Sequence, residues 1–195
     1  MSISAVCISR AIGAGGEEVG RFVADALGFR YVDEEIVLAA AEKEGLDPEQ
    51  LAAVEHSRTG LSRLDIDIVT GGAFDEIQRS LIRAAIHEMA AAGNVVIVAH
   101  AGSLALAGND RVLRVLVTAS HEVRARRLVQ TEQLDEREAA KRIDRSDKER
   151  AAYIKRFYRV DQELPSHYDL VVSTDRLSPS DACALVLDAA AAFDS

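Results

Sequence analysis

The sequence has no tryptophan, only two cysteines and three prolines, and few aromatic residues among its 195 positions. Two cysteines cannot build a disulfide scaffold, so Cys7 and Cys183 are expected to be buried free thiols, as in a reducing cytoplasm. No apolar run reaches the roughly 18 residues that a membrane span requires. The N-terminus MSISAVCISR lacks the basic start and long apolar stretch of a signal peptide. We therefore expect a cytoplasmic protein without a membrane anchor.

A net charge of −9 argues against nucleic-acid binding by the chain as a whole. The basic residues are nevertheless concentrated, because 12 of the 23 Lys and Arg lie between Arg124 and Arg159, with 7 Asp and Glu, a local charge of +5. Arginine outnumbers lysine by 19 to 4, and the planar guanidinium suits bidentate recognition of phosphate or carboxylate. A solvated helix with salt-bridged faces would have the same composition.

Short apolar runs alternate with amphipathic segments along the chain, which predicts a single α/β domain with a parallel sheet covered on both faces. The pattern weakens between 55 and 74, where we expect a connection or small lobe. The predicted strands are 5–9, 29–32, 95–98, 112–117 and 170–172. The predicted helices are 17–27, 35–44, 75–92 and 135–158, with a further start at 47–50 and caps at Gly28, Ser120, Asp135 and Ser178.

A glycine-rich turn, GAGGEEVG from Gly13 to Gly20, follows the first predicted strand and opens the first helix. Free backbone N–H groups converge at such a helix start, and the helix dipole favours negative charge there. Glycine also permits positive φ angles and a close approach of ligand to backbone. The turn therefore predicts an anion site, although a tight strand-to-helix turn without a ligand would use the same residues.

Two functional interpretations of this turn compete. A dinucleotide site would use Asp33, which lies 20 residues after Gly13, as its ribose-binding acid, but its third glycine would fall at Glu18. A phosphate loop would normally read G-x-x-x-x-G-K-[ST], whereas Arg10 replaces the first glycine and Gly16 replaces the lysine. Both patterns are incomplete, so the turn alone leaves the choice open.

Residues 139–158 of the helix predicted at 135–158 place charged residues inside an apolar stripe. Spacings of three and four put Ile143, Asp147, Arg150, Ile154 and Phe157 on one face. A buried Asp–Arg pair predicts either a functional arrangement or a structural ion pair that locks the helix. A mobile clamp over phosphates would neutralise charge during phosphoryl transfer. Four nearby arginines could form such a clamp: Arg126, Arg127, Arg142 and Arg145.

Taken in order, these residues resemble the cytidylate kinase-like branch of the nucleoside monophosphate kinases. The resemblance covers most of the chain and is weakest between Lys43 and Phe74. That branch typically shows ISRE-x-GSGG in place of a lysine-bearing loop, so Gly16 and Glu18 follow its pattern. The matching segments are ISRAIGAGGEEVGRFVADALGFRYVDEEIV, VVIVAHAG, SHEVRARRL, IDRSDKERAAYIKRFY and HYDLVVST.

The resemblance implies a P-loop kinase-like three-layer sandwich with a five-stranded parallel sheet, forming one domain over residues 1–195. A monophosphate-binding lobe would span about 34–92 and an arginine-rich lid about 124–160. The implied activity is transfer of the ATP γ-phosphate to a (d)CMP-like nucleoside monophosphate, with ATP and Mg²⁺ as cofactors. Nucleotides would be the partners, without nucleic acid or membrane, and the chain could form a homodimer.

The resemblance also assigns site residues, none of which is a protein metal ligand. Those that would line the ATP phosphates are Arg10, Gly13, Ala14, Gly15, Gly16, Glu17 and Glu18. Those on the monophosphate side are Asp33, His100 and Asp147, and the catalytic lid arginines are Arg126, Arg127 and Arg150.

Two positions depart from the family pattern. Ala99-His100 replaces the usual Gly-Arg after the third strand, so His100 would bind the acceptor phosphate when protonated or as a neutral donor. Ala11 replaces the usual Glu, and no Asp ends the third strand to organise Mg²⁺. Two alternatives therefore stand beside the kinase: a non-catalytic nucleotide-binding or regulatory protein descended from such kinases, and a dinucleotide-dependent oxidoreductase.

Overall fold

A computed structural model of the chain describes residues 3–33, 73–99 and 101–193, and in the helix that begins at residue 73 it describes side chains from Ile82 onward. The helices predicted at 35–44 and from 47, and the assignment of His100, lie outside these ranges.

Five parallel strands form one sheet in the order β2-β3-β1-β4-β5, which confirms the predicted α/β class. Each predicted strand is present, with ends that differ from the prediction by at most one residue. Strand β1 lies at the centre and pairs with β3 on one side and with β4 on the other. The strands are β1 (Ala5–Arg10), β2 (Arg30–Asp33), β3 (Val95–Val98), β4 (Val112–Thr118) and β5 (Leu170–Ser173).

Helices connect the strands and end where the sequence predicts. Gly28 closes the first helix with φ 65°, and Asp135 forms a capping box with Glu138. Ser120 and Ser178 each accept a bond from a backbone N–H in the first turn of the helix that they cap. The helices in the described residues are α1 (Gly16–Leu27), α2 (Ala73–Ala92), α3 (Gly102–Ala105), α4 (His121–Glu132), α5 (Glu136–Tyr158) and α6 (Pro179–Ala192), with a 3₁₀ turn at Pro165–His167.

Both faces of the sheet are buried, because side chains of β1 alternate between two hydrophobic clusters. Val6 and Ile8 pack with α1 and α6 on one face, and Cys7 packs with α2 on the other. Both cysteines are buried free thiols, as predicted. Burial raises the pKa of Cys7 to about 12, so this thiol stays protonated.

The last part of the segment predicted as a monophosphate-binding lobe packs against the sheet. Ala85, Ile86, Met89 and Ala90 of α2 are buried in the cluster that also contains Val95. Among the described residues, no helix combines the length and apolarity that crossing a bilayer would demand.

Candidate phosphate-binding site

The glycine turn leaves the carboxyl end of the central strand and enters α1 at a left-handed residue. Gly13 has φ 74°, and Gly15, the N-cap of α1, has φ 80° without a side-chain cap. A Cβ on Gly16 would lie 2.5 Å from the Cβ of Arg10, so only glycine fits at that position. These residues make a tight loop, 11–15, between β1 and α1.

A Cβ on Gly15 would meet no atom of the described residues within 4 Å. The first turn of any helix leaves backbone N–H groups without an intrahelical acceptor, and the positive end of the helix dipole lies at the same place. The loop also follows the strand at which the sheet order reverses, since β1 leads to β2 on one side and β4 to β5 on the other. Backbone donors, dipole and position together make this loop the candidate anion site.

Sheet order argues against the dinucleotide interpretation. In the dinucleotide-binding fold β2 lies next to β1, so that the acid after β2 reaches a ribose bound at the first loop. Here β3 lies between β1 and β2, and Asp33 pairs in register with Val98 of β3. Asp33 is therefore two strands, about 10 Å, from β1 across the sheet.

The underside of loop 11–15 is bound by α4 and by the residue after β5. The Arg127 Nη1 donates to the Gly13 carbonyl oxygen at 3.3 Å and to the Thr174 hydroxyl at 2.8 Å, and its Nη2 donates to the Thr174 carbonyl at 2.6 Å. The Thr174 hydroxyl donates to the Ala14 carbonyl at 2.8 Å. Ala14 and Thr174 are both almost completely buried, so this contact lies inside the protein.

The carboxyl end of β1 is bound by α5 through a buried charged network. Arg150 donates from Nη1 to the Arg10 carbonyl at 3.1 Å and makes a bidentate pair with Glu163, at 2.9 and 2.5 Å. The Tyr168 hydroxyl donates to the same carboxylate and is 3.4 Å from Arg150. Arg150 thus ties the helix to the strand from which the loop starts.

Charges in this network stabilise one another. Burial alone would raise the pKa of the Glu163 carboxyl, but bonds from Arg150 and Tyr168 outweigh it and leave the pKa below its usual value. Burial, with the bond to Glu163, raises the pKa of the Tyr168 hydroxyl. Burial disfavours the charged guanidinium of Arg150, yet the pair with Glu163 raises its pKa. The network is therefore an ion pair with a neutral tyrosine at neutral pH.

The sequence-based hypothesis of an Asp147–Arg150 pair is wrong in its partners. Both residues are ion-paired on the inward side of α5, but Asp147 makes a bidentate pair with Arg124, at 2.8 and 2.7 Å, and Arg150 pairs with Glu163. The pairing differs because the side chains reach across to α4 and to the chain after α5 rather than along their own helix. Arg124 also packs against the loop, since a Cβ on Gly13 would lie 2.9 Å from its carbonyl oxygen.

The remaining predicted residues lie at different distances from this centre. Glu17 forms an ion pair with Arg10, and Glu18 is exposed. Arg126, with 61% of its side chain exposed, makes a 3.9 Å pair with Glu122 on its own helix. The structure thus brings together the loop, Arg127, Arg150 and, through Arg124, Asp147; Asp33 is two strands away and His100 is outside the described residues.

Sequence reasoning missed Thr174, Glu163, Tyr168 and the pairing role of Arg124. One signal could have found Thr174. The carboxyl ends of parallel strands share one edge of the sheet, so a hydroxyl residue directly after β5 belongs at the edge that carries the glycine loop. Glu163 lies in an irregular segment without periodicity, and no pattern predicts its contact with Arg150.

The sheet order and the glycine loop after the central strand define a P-loop kinase fold, and solved structures agree. An uncharacterized protein from Eubacterium ventriosum matches with a TM-score of 0.72 and 16% identity, over 98% of this chain and 99% of that one. A gluconokinase from Sinorhizobium meliloti matches with a TM-score of 0.59 and 15% identity, over 99% and 95% of the two chains. At these identities the likeness concerns the fold alone.

Sequence comparison identifies the family. The model of the cytidylate kinase-like family matches residues 5–176, and the chain belongs to that family. A curated relative named cytidylate kinase, from Methanopyrus kandleri, is 30% identical over 183 residues, which cover 89% of this chain and 86% of the relative. Family membership confirms the resemblance drawn from the motifs.

Proposed function

We propose that this protein transfers the γ-phosphate of ATP to a nucleoside monophosphate, with CMP or dCMP as the acceptor. The observation that carries the proposal is the candidate anion site at Gly15, at the start of α1 and at the reversal point of a P-loop kinase sheet. The choice of a cytidine acceptor is supported by the family and by the name of the Methanopyrus relative.

The donor phosphates bind to backbone N–H groups of loop 11–15 and of the first turn of α1. Glu17 and Glu18 take part through their backbone, because their carboxylates carry the wrong charge for a phosphate. Arg10 compensates Glu17 within the ion pair. Such a site needs no lysine from the loop, provided that arginines supply the positive charge.

Magnesium would arrive with the nucleotide. Mg²⁺ takes oxygen ligands and keeps several waters, with one or two carboxylates beside the substrate phosphates. Glu17, the carboxylate next to the loop, is already paired with Arg10, so the ion would be held mainly by phosphate oxygens and water. There the ion would neutralise charge on the transferring phosphate.

The segment 124–160 acts as the lid, and Arg126 is its mobile cation. Its side chain is mostly solvated and holds one long pair on the same helix, so it can turn to a phosphate at little cost. Asp33 lies at the carboxyl edge of the sheet and serves the acceptor side together with Asp147. His100 keeps the acceptor-phosphate role that the sequence suggests.

A matched pair of glycine substitutions tests the donor site. Gly15 and Gly28 both have positive φ, and a Cβ on either meets nothing within 4 Å, so valine strains the backbone similarly at both ends of α1. Gly15→Val should abolish ATP binding in isothermal titration, whereas Gly28→Val should lose similar stability and keep ATP binding. If folded Gly15→Val binds ATP like wild type, the loop is only a structural turn.

Turnover separates the kinase from the alternatives. Wild-type protein with Mg-ATP should convert CMP or dCMP to the diphosphate in a coupled assay, faster than it converts UMP or AMP. ATP binding without turnover of any monophosphate would favour the non-catalytic nucleotide-binding protein, and binding of NAD(P) alone would refute the kinase. Hydrogen exchange across 124–160 should fall with a bisubstrate analogue, and equal exchange would leave this segment a static helix pair.

A further inference from the structure

The carbonyl groups of two consecutive loop peptides are bound from inside the protein. The Gly13 carbonyl accepts from Arg127 and the Ala14 carbonyl accepts from Thr174. The Thr174 hydroxyl has a single hydrogen, and Arg127 donates to its oxygen at 2.8 Å. Two carbonyl oxygens are within reach of that hydrogen, and Ala14 at 2.8 Å is closer than Thr118 at 3.3 Å, so we place the hydrogen on the bond to Ala14. Arg127 and Thr174 therefore act on the loop as one unit, which we name the Arg127–Thr174 anchor.

Because the peptide bond is planar, a carbonyl that is held in place also fixes the direction of the next N–H. In a trans peptide the C=O and the next N–H point in opposite directions, and the described chain has no cis bond. With the Ala14 carbonyl bonded to the buried Thr174, the Gly15 N–H must point away from that buried contact. The Ala14 N–H is used differently, in a turn to the Ala11 carbonyl at 3.1 Å.

We propose that the Arg127–Thr174 anchor is a positioning device for phosphate binding, which aims the Gly15 N–H at the anion, and that Arg127 does not itself bind the phosphate. Three of the five N–H groups of Arg127 donate to the Gly13 carbonyl and to the hydroxyl and carbonyl of Thr174, so the guanidinium is held on the inner side of the loop. The catalytic role that the resemblance gives to Arg127 is thereby replaced by an indirect one. The identity of the anion rests on the proposed function, whereas the orientation of the amide does not.

Three variants test the anchor. Thr174→Val removes the hydroxyl with little change of shape, Thr174→Ser restores it, and Arg127→Met removes the guanidinium. Arg111→Met is the charge-matched control, since Arg111 is exposed just before β4, at the end of the sheet opposite the loop. Thermal unfolding without nucleotide checks that each variant is folded before binding is measured.

ATP titration gives the first measurement. Positioning predicts that Thr174→Val and Arg127→Met weaken ATP binding by similar factors, about tenfold, while Thr174→Ser and Arg111→Met stay within twofold of wild type. A direct contact between Arg127 and phosphate predicts instead a large loss for Arg127→Met and little change for Thr174→Val, and that result would overturn the proposal. KM for ATP should rise in Thr174→Val more than kcat falls.

The amide of Gly15 gives a second measurement that needs no ligand. In an NMR spectrum of the free protein, Thr174→Val should shift the Gly15 N–H resonance, and Thr174→Ser should return it to the wild-type position. An unchanged Gly15 amide in Thr174→Val refutes the anchor whatever the activity. If wild type binds neither ATP nor inorganic pyrophosphate while the amide shifts as expected, the proposed function fails and the anchor stands.

Discussion

The cations of α4 and α5 divide into two groups that the charge count does not distinguish. Arg124 and Arg150 each expose only 8% of their side chains and make bidentate carboxylate pairs. Arg126 and Lys155 expose 61% and 69% and make single surface pairs. The buried group binds the two helices to loop 11–15 and β1, whereas the surface group is mostly exposed to solvent. The local charge of +5 therefore contains two kinds of cation, one structural and one at the surface.

The largest loss of unfolding free energy is expected from a substitution at Gly13, in the loop that the buried group binds. A Cβ there would meet the Arg124 carbonyl at 2.9 Å, and the residue has φ 74°. Gly13→Ala should therefore cost about 3 kcal/mol of unfolding free energy, from backbone strain and a displaced helix. Urea denaturation measures this loss of unfolding free energy.

Gly28→Ala is the matched control for Gly13→Ala, because it has φ 65° and open space around it. It should cost about 1 kcal/mol, from backbone strain alone. Equal losses in the two variants would show that the approach of Arg124 is not the reason for glycine at position 13.

The next largest effect is expected at Glu163, the partner of Arg150. Glu163→Gln leaves a buried guanidinium without its counter-charge and should cost about 2 kcal/mol in the same denaturation. Asp161→Asn, which removes the exposed partner of Lys155, should cost less than about 0.5 kcal/mol. Similar costs for the two variants would contradict the division into two groups.

The strands follow from the sequence more directly than the anchors do, whereas their order in the sheet was not predicted. Continuous apolar runs such as 95–98 are typical of strands buried on both faces, and caps such as Ser120 are local signals. The partners of Arg150 are not local, since Glu163 is 13 residues away in an irregular segment. Helical spacing put Asp147 and Arg150 on one face correctly, but a face does not specify which side chain lies opposite each residue.

A smaller effect concerns pH. Because the pKa of Glu163 is lowered on folding, its ionised form stabilises the fold above its ordinary value of 4.5, and that contribution is lost as the pH falls below it. The difference in unfolding free energy between wild type and Glu163→Gln should thus be full at pH 6 to 7 and shrink steadily below about 4.5. A difference that stays constant down to pH 3 would mean that the carboxylate charge is not what stabilises the network.

The smallest change in stability is expected for Arg126→Ala, a variant that also tests whether the surface group takes part in phosphoryl transfer. Arg126→Ala removes one solvated pair and should change the unfolding free energy by less than about 0.5 kcal/mol, since exposed pairs on one helix contribute little. If Arg126 closes on the transferring phosphate as proposed, turnover of CMP should nevertheless fall by roughly 100-fold, the usual cost of removing one donor from a developing charge. Arg150→Met should behave in the opposite manner and lose stability first, because its guanidinium is committed to Glu163 and to the Arg10 carbonyl. Normal turnover in Arg126→Ala would remove this arginine from the proposed lid. Unfolding of Arg126→Ala would show that the exposed fraction of the side chain does not separate the two groups.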